Sequence, residues 1–124
     1  MSCIVKTVVS VEQHPVKDHL SIVKLDDNSQ LVSMKLEDGT PRYKIDDLVA
    51  HIIHGSILTE TLMKRLDVWD KANNVGTLNG AKKNKIKRSN FSGISSEGML
   101  LPANEIGPDV KIGDDVALIL EITF

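Results

Sequence analysis

The chain has 124 residues, of which 41% are apolar and 26% are charged, and its formal net charge is −2. A chain of this size forms one domain that buries about two thirds of its unfolded surface. Cys3 is the only cysteine, which excludes an intramolecular disulfide and a cysteine-rich zinc site. Since no apolar run could span a bilayer and no secretory leader is recognisable, we expect an intracellular protein of the cytoplasm or nucleus.

The first half of the chain predicts four short strands. Residues 3–11 alternate in polarity and are rich in β-branched side chains. Residues 14–18 break this pattern as a turn does and residues 20–25 resume it, which predicts a hairpin. Residues 30–36 form the third predicted strand, after an Asp-Asp-Asn-Ser turn. Residues 48–53 form the fourth predicted strand, after a second turn that contains Gly and Pro.

The second half predicts one helix, one irregular stretch and two strands. Residues 59–70 have apolar side chains at helical spacing, and Thr59 is a suitable N-cap; the apolar positions are Leu62, Met63, Leu66 and Trp69. Residues 73–80 are polar and rich in Gly, which predicts a flexible surface loop. Strands are predicted at residues 98–101 and 116–122.

Five or six short strands with one helix inserted before the last ones match the plan of a small Greek-key barrel of the oligonucleotide-binding (OB) type. We therefore predict an all-β fold of this kind with a single inserted α-helix. We predict that residues 1–124 form a single domain of this kind. Because such barrels carry many functions, the function has to come from particular residues.

The strongest functional signal is a cluster of five cations in seven consecutive positions: Lys82, Lys83, Lys85, Lys87 and Arg88. This cluster carries a charge of +5, whereas the other 10 basic and 17 acidic residues sum to −7. A concentrated positive patch on an acidic body attracts phosphate groups locally and repels them elsewhere. If the cluster leads into a paired strand, alternation sends Lys83, Lys85 and Lys87 to one side, where they could follow a phosphate backbone.

The residues next to the cluster, and the few aromatic residues of the chain, indicate which kind of nucleic acid is favoured. Asn84 and Asn90 offer neutral hydrogen-bond donors to phosphate and sugar oxygens, and Phe91 offers one aromatic ring. The chain has only four aromatic residues, which is few for a protein that stacks the bases of a single strand. The pattern favours binding to the charged backbone of a duplex or nicked duplex, with a strong dependence on salt. The alternative is that the lysines form an ordinary solvated surface.

Patterns of catalytic and metal-binding residues do not appear in the sequence. Glu97 stands where the nucleophile elbow of a hydrolase needs a glycine, and Lys83 stands where a phosphate-binding loop needs Ser or Thr. His51 and His54 lie three residues apart on a predicted strand, so they point to opposite faces. The sequence therefore predicts no catalytic residue and no metal site, and Cys3 is interpreted as a small apolar core residue.

One family resemblance spans most of the chain. Lys85-Ile86-Lys87 followed by residues 91–102 resembles the strand-loop-strand signature of the N-terminal barrel in Deinococcus-type ATP-dependent RNA ligases. Residues 15–20, 43–47 and 113–123 resemble other parts of that barrel in the same order. In that family the barrel precedes a nucleotidyltransferase domain and helps it engage RNA nicks with a 3′-OH and a 5′-phosphate. The resemblance implies RNA as the partner and a covalently linked nucleotidyltransferase domain that uses ATP and a divalent metal, with no cofactor in this chain.

Several positions depart from that family. Ser92 replaces an Arg that is usual there, Glu97 replaces a Gln, and Asp46 replaces a Gly in a turn. The K-x-D-G signature of lysine adenylylation is also absent. Residues 35–39 read K-L-E-D-G, which has two residues between Lys and Asp where the signature has one. We therefore expect no adenylylation by these 124 residues alone.

Two other functions remain open. Residues 93–101 and 14–20 are similar to parts of the tRNA-binding barrels attached to some aminoacyl-tRNA synthetases. Those modules lack a long helical insertion, and residues 57–87 fit the ligase-type barrel better, so tRNA binding ranks second. The third possibility is a protein-interaction barrel in which the lysines only face solvent.

Overall fold

The computed structural model describes residues 3–124. Its elements in chain order are β1 (Ile4–Gln13), β2 (Leu20–Leu25), β3 (Gln30–Met34), β4 (Leu48–Ile52), α1 (Glu60–Arg65), β5 (Trp69–Asp70), β6 (Val75–Gly76), β7 (Ser89–Phe91), β8 (Ile94–Ser96) and β9 (Met99–Pro102). The main sheet is antiparallel with the strand order β3-β2-β1-β4-β9. Strands β5 and β6 form a separate two-stranded sheet, as do β7 and β8.

Strand β1 belongs to both halves of the main sheet. Its residues 4–7 pair with β4, and its residues 8–13 pair with β2. The register shifts between Val8 and Ser10, which makes Val9 the extra residue of a β-bulge. A bulge bends a strand and increases its twist, so the five strands curl into an antiparallel half-barrel. The predicted all-β, OB-like class is confirmed.

Two clusters of buried apolar side chains hold this fold together. The first fills the half-barrel and consists of Val8, Val23, Leu25, Leu31, Tyr43, Val49 and Leu100. The second joins the N-terminal half of β1 to α1 and the C-terminal residues; its buried members include Val5, Ile52, Leu62, Met63, Ile86, Leu101, Val116 and Leu120. The helix therefore packs on the barrel through the predicted Leu62 and Met63.

Cys3 belongs to the second cluster and is completely buried. Burial, with a smaller effect of the Asp115 charge, raises the pKa of its thiol to about 12. A thiol with such a pKa is hardly ever a thiolate and is a poor nucleophile. This environment agrees with the interpretation of Cys3 as an apolar core residue.

The helix is shorter than predicted. Thr59 caps it as expected, since its hydroxyl oxygen accepts a hydrogen bond from the Leu62 backbone N–H at 3.2 Å. The helix ends at Arg65, however, because Asp67 takes a left-handed conformation with a φ of 61°. Trp69 consequently lies in β5 and not on the helix. With six residues, α1 is far too short to cross a bilayer, and no helix in residues 3–124 is long and apolar enough to do so.

The stretch at residues 73–80, predicted to be irregular, contains β6. Val75 and Gly76 pair with β5, and Gly76 lies directly against the backbone of the following segment. A Cβ at this position would meet the Lys83 carbonyl oxygen at 2.2 Å, so only a glycine allows this approach. Most of the stretch is exposed turn as predicted, but the prediction missed β6, which a close backbone contact determines.

The prediction of a last strand at residues 116–122 was wrong. These residues form one helical turn that ends in a Schellman motif, in which the Ile122 N–H donates to the Ala117 carbonyl and the Glu121 N–H donates to Leu118. Glu121 has the left-handed conformation that this motif requires, with a φ of 57°. Burial follows the turn and not an alternation, since Leu118 is 92% exposed while Leu120 is 7% exposed.

This difference predicts unequal effects of two identical substitutions. Leu120→Ala should reduce the free energy of unfolding by about 2 to 4 kcal/mol, because it leaves a cavity in the second cluster. Leu118→Ala should change it by less than about 0.5 kcal/mol, because that side chain lies in solvent. Urea denaturation measures both. Equal losses for the two variants would contradict the turn and favour an alternating strand.

Candidate nucleic-acid interface

The cations of the cluster lie on a compact structure, which we call the basic segment (residues 79–88). Asn79 and Lys85 exchange two backbone hydrogen bonds, of 3.0 and 2.9 Å, and so close a short hairpin loop. Gly80 and Lys83 have left-handed φ angles of 87° and 54° within this loop. The tight turn replaces the predicted extended strand, so the lysines do not alternate along a regular strand.

The basic segment is fixed to the barrel through Asn84 and Ile86. Ile86 is 3% exposed; its N–H donates to the Ser56 carbonyl at 2.9 Å and its carbonyl accepts from the Gly55 N–H at 2.7 Å. The backbone carbonyl of Asn84 accepts from the Leu58 N–H, and its side-chain amide donates to the Leu58 carbonyl at 3.2 Å. The Asn84 side chain is thus already engaged in holding the segment in place.

All five cations of the basic segment are exposed. The ion pairs among the described residues are Lys6 with Asp27 and Lys64 with Glu60, so no carboxylate there neutralises any of the five. Lys83 has a small effect on Asp70, whose pKa is lowered mainly by hydrogen bonds from Asn73 and Ala72 and least by the charge of Lys83. The positive charge of the segment therefore faces solvent.

Asn90 and Phe91 lie in the β7–β8 hairpin, which directly follows the basic segment. The Asn90 side-chain oxygen accepts from the Gly93 N–H at 2.8 Å and stabilises the turn. Ser92 and Gly93 occupy the two turn positions with φ angles of 53° and 91°. Phe91 is 37% exposed, so part of its ring is accessible.

The β7–β8 hairpin is held at one end by β3. The Gln30 carbonyl accepts from the Glu97 N–H at 3.0 Å, and the Ser96 hydroxyl oxygen accepts from the Val32 N–H at 2.9 Å. The Gln30 side-chain amide also donates to the Ser95 carbonyl at 3.2 Å. The hairpin is therefore attached to the edge of β3 but remains a separate two-stranded sheet.

At its other end the hairpin is held by His14, which is 1% exposed. The Nδ1 atom of His14 accepts from the backbone N–H groups of Val16 and Lys17, both at 3.0 Å. The Nε2 atom must then carry the proton, and it donates to the Phe91 carbonyl at 2.8 Å. The sequence alone does not reveal this role, because the partner of His14 lies 77 positions away.

His51 is a second buried histidine, whereas His54 is exposed. The Nε2 atom of His51 bonds to the Glu97 carbonyl, and its Nδ1 atom lies 2.9 Å from the ammonium group of Lys6, which in turn pairs with Asp27. Burial, reinforced by the Lys6 charge, lowers the pKa of His51. Residues 3–124 contain no group of three or more His, Cys, Asp or Glu side chains that could hold a metal ion.

The fold and this surface define the chain as an OB-like half-barrel with an exposed basic segment in the connection between β4 and β9. The sequence matches no model of a known family and no curated protein. Solved structures of RNA ligase from Naegleria gruberi share the fold. A variant with ATP and Mn has a TM-score of 0.74 and 20% identity over 99% of this chain, and an apo variant has a TM-score of 0.74 and 20% identity over 98%.

The chain spans about a third of the length of these ligases, 35% of the first and 34% of the second. At 20% identity the similarity establishes a shared fold. The similar region extends over nearly the whole of the present chain, so the helix, the basic segment and the C-terminal turn all fall within it.

The role of His14 predicts that its loss weakens the hairpin. His14→Ala removes the hydrogen bond to Phe91 and leaves a cavity, so the free energy of unfolding should fall by about 2 kcal/mol. Amide exchange in β7 and β8 should accelerate at the same time. His19→Ala is the matched control, since His19 is exposed and lies five residues away. Similar effects of both variants would exclude a holding role for His14.

The lowered pKa of His51 predicts a dependence of stability on pH. In the unfolded chain His51 binds a proton near its ordinary pKa of 6.5, whereas the folded protein resists protonation. The free energy of unfolding should therefore fall as the pH drops from 7 to 5. His51→Gln should reduce this slope, and the exposed His54→Gln should not. Urea denaturation at several pH values tests this, and an unchanged slope in His51→Gln would rule it out.

Proposed function

We propose that this barrel binds RNA and helps an ATP-dependent RNA ligase to engage a nicked RNA duplex for sealing of a 3′-OH to a 5′-phosphate. The observation that carries the proposal is the group of five exposed, unpaired cations on a segment anchored to the barrel. The fold shared with RNA ligases supports the choice of RNA. The resemblance of residues 85–102 to the ligase signature supports it independently.

The chemistry of the basic segment fits a phosphate backbone. Lysine and arginine side chains attract phosphates through charge and release counterions, a mechanism that requires no particular base sequence. The charge is available because none of the five cations is paired with a carboxylate of the described residues. Because hydrogen bonds of Asn84 and Ile86 already fix the backbone of the segment to the barrel, binding requires little further ordering of that backbone.

The environment of the aromatic rings favours a duplex over a single strand. Tyr43 is 6% exposed and donates a hydrogen bond to the Leu100 carbonyl, so its ring belongs to the core. Trp69 is half-buried, and the Lys64 ammonium group lies 5.5 Å from the centre of its ring. Phe91 and Phe124 are the rings left for stacking, which is few for a surface that binds successive bases.

We assign the adenylylation step to a covalently linked nucleotidyltransferase domain, together with ATP and the divalent metal. Residues 35–39, which approach the K-x-D-G signature, leave β3 and enter a turn at Gly39, with a φ of 86°. The side chains of this chain would then position the nicked duplex for the linked domain. A tRNA-like molecule is the alternative RNA partner.

The proposal predicts that RNA affinity depends on the basic segment and on salt. If all five cations contact phosphates, a plot of log K against log salt should have a slope of about −3.5 for a single strand or −4.5 for a duplex. Lys83→Ala, Lys85→Ala and Lys87→Ala combined should reduce the magnitude of the slope by about 2 to 3. Fluorescence anisotropy with a nicked RNA duplex measures this.

The matched control removes three exposed lysines elsewhere on the chain: Lys17→Ala, Lys44→Ala and Lys111→Ala. This control changes the net charge by the same amount as the variant of the basic segment. If the basic segment has a specific role, the control should keep almost the salt slope of the unaltered chain. A triple variant of the basic segment that binds the nicked duplex with the slope of the unaltered chain would overturn the proposal.

A further inference from the structure

We infer that RNA lies along the outer side of the connection between β4 and β9, and not on the face of β2 and β3 through which OB barrels commonly bind oligonucleotides. The inference rests on the proposed function and specifies where on the barrel the RNA lies. It follows from the attachment of the β7–β8 hairpin to both β3 and His14, and from the burial of side chains on the outer face of β2.

The side chains of β2 divide between two faces. Val23 and Leu25 point into the half-barrel and belong to its core cluster. Leu20, Ile22 and Lys24 alternate with them and must point outward, since β2 contains no bulge. The outward face of β2 is the one that would receive an oligonucleotide.

Two of these outward side chains are nevertheless buried. Leu20 is 5% exposed and Ile22 is 7% exposed, and neither belongs to the two core clusters. His14 lies at the end of the same face and is 1% exposed. A layer outside the sheet therefore covers this face.

The β7–β8 hairpin supplies that layer. It is bonded to Gln30 and Val32 at the edge of β3 and to His14 at the end of β1. Since β2 lies between β3 and β1, a hairpin held at both anchors covers the part of the outer face that carries the buried Leu20 and Ile22. Bases could reach it only after the hairpin had been displaced.

The covering layer leaves the outer side of the β4–β9 connection as the accessible positive surface. Lys87 and Arg88 directly precede β7 and are exposed. The hairpin loop that carries Lys82 and Lys83 lies on the other side of Ile86. Exposed cations of this type contact the backbone of a duplex, whereas the bases of a single strand need aromatic rings on which to stack.

Two double variants with the same change of charge distinguish the two binding surfaces. Lys87→Ala with Arg88→Ala removes cations from the β4–β9 connection. Lys17→Ala with Lys24→Ala removes cations from the β1–β2 turn and from the outer face of β2. None of the four forms an ion pair with a described carboxylate, so neither pair exposes an unbalanced acidic group. Binding of a nicked RNA duplex is measured by anisotropy at several salt concentrations, and urea denaturation verifies that both variants fold.

The inference predicts that the first variant reduces the magnitude of the salt slope by about 1.8, at 0.9 per lost phosphate contact, and that the second leaves it unchanged. The opposite result, or an unchanged slope in both, would place the RNA elsewhere and overturn the inference while the proposed function stands. Failure of the unaltered chain to bind the duplex would overturn the proposed function and the inference together.

Discussion

The bulge at Val9 is the constraint on which the rest of the structure depends. It bends β1, which pairs with β4 through residues 4–7 and with β2 through residues 8–13. One strand thus joins the two parts of the curled sheet. Strand β1 contributes to both core clusters, with Val8 in the first and Val5 in the second. Asp46, with a φ of 77°, lets its N–H reach the Val8 carbonyl at 2.8 Å and supports the bend.

The basic segment depends on the same scaffold. Ile86 is buried in the second cluster and bonded to the chain that leaves β4, while Ile57 pairs with both Lys85 and Thr123. Charged side chains are costly to bury and gain little from each other at a surface, so a cluster of five cations needs an apolar anchor to hold its position. Ile86 provides that anchor among residues that are otherwise exposed or half-buried.

The first four strands and the N-cap at Thr59 could be predicted because local signals determine them: alternation, turn residues and a hydroxyl before an amphipathic stretch. Strands β5 and β6 could not, since they depend on the close approach of Gly76 to the Lys83 carbonyl and on the left-handed Asp67. The C-terminal residues resembled a strand in composition, but Glu121 terminates a helical turn. In the candidate site the cations were evident from charge alone. The role of His14 was not, because its partner is remote in sequence.

The central claim is that the basic segment, held rigid by the barrel, forms the RNA-binding surface. The most direct measurement is the change in backbone amide NMR shifts when a nicked RNA duplex is added at low salt. The account predicts that the largest changes fall on residues 82–88, with small ones on Leu20–Leu25. Largest changes on β2 or on the acidic parts of the surface would contradict it.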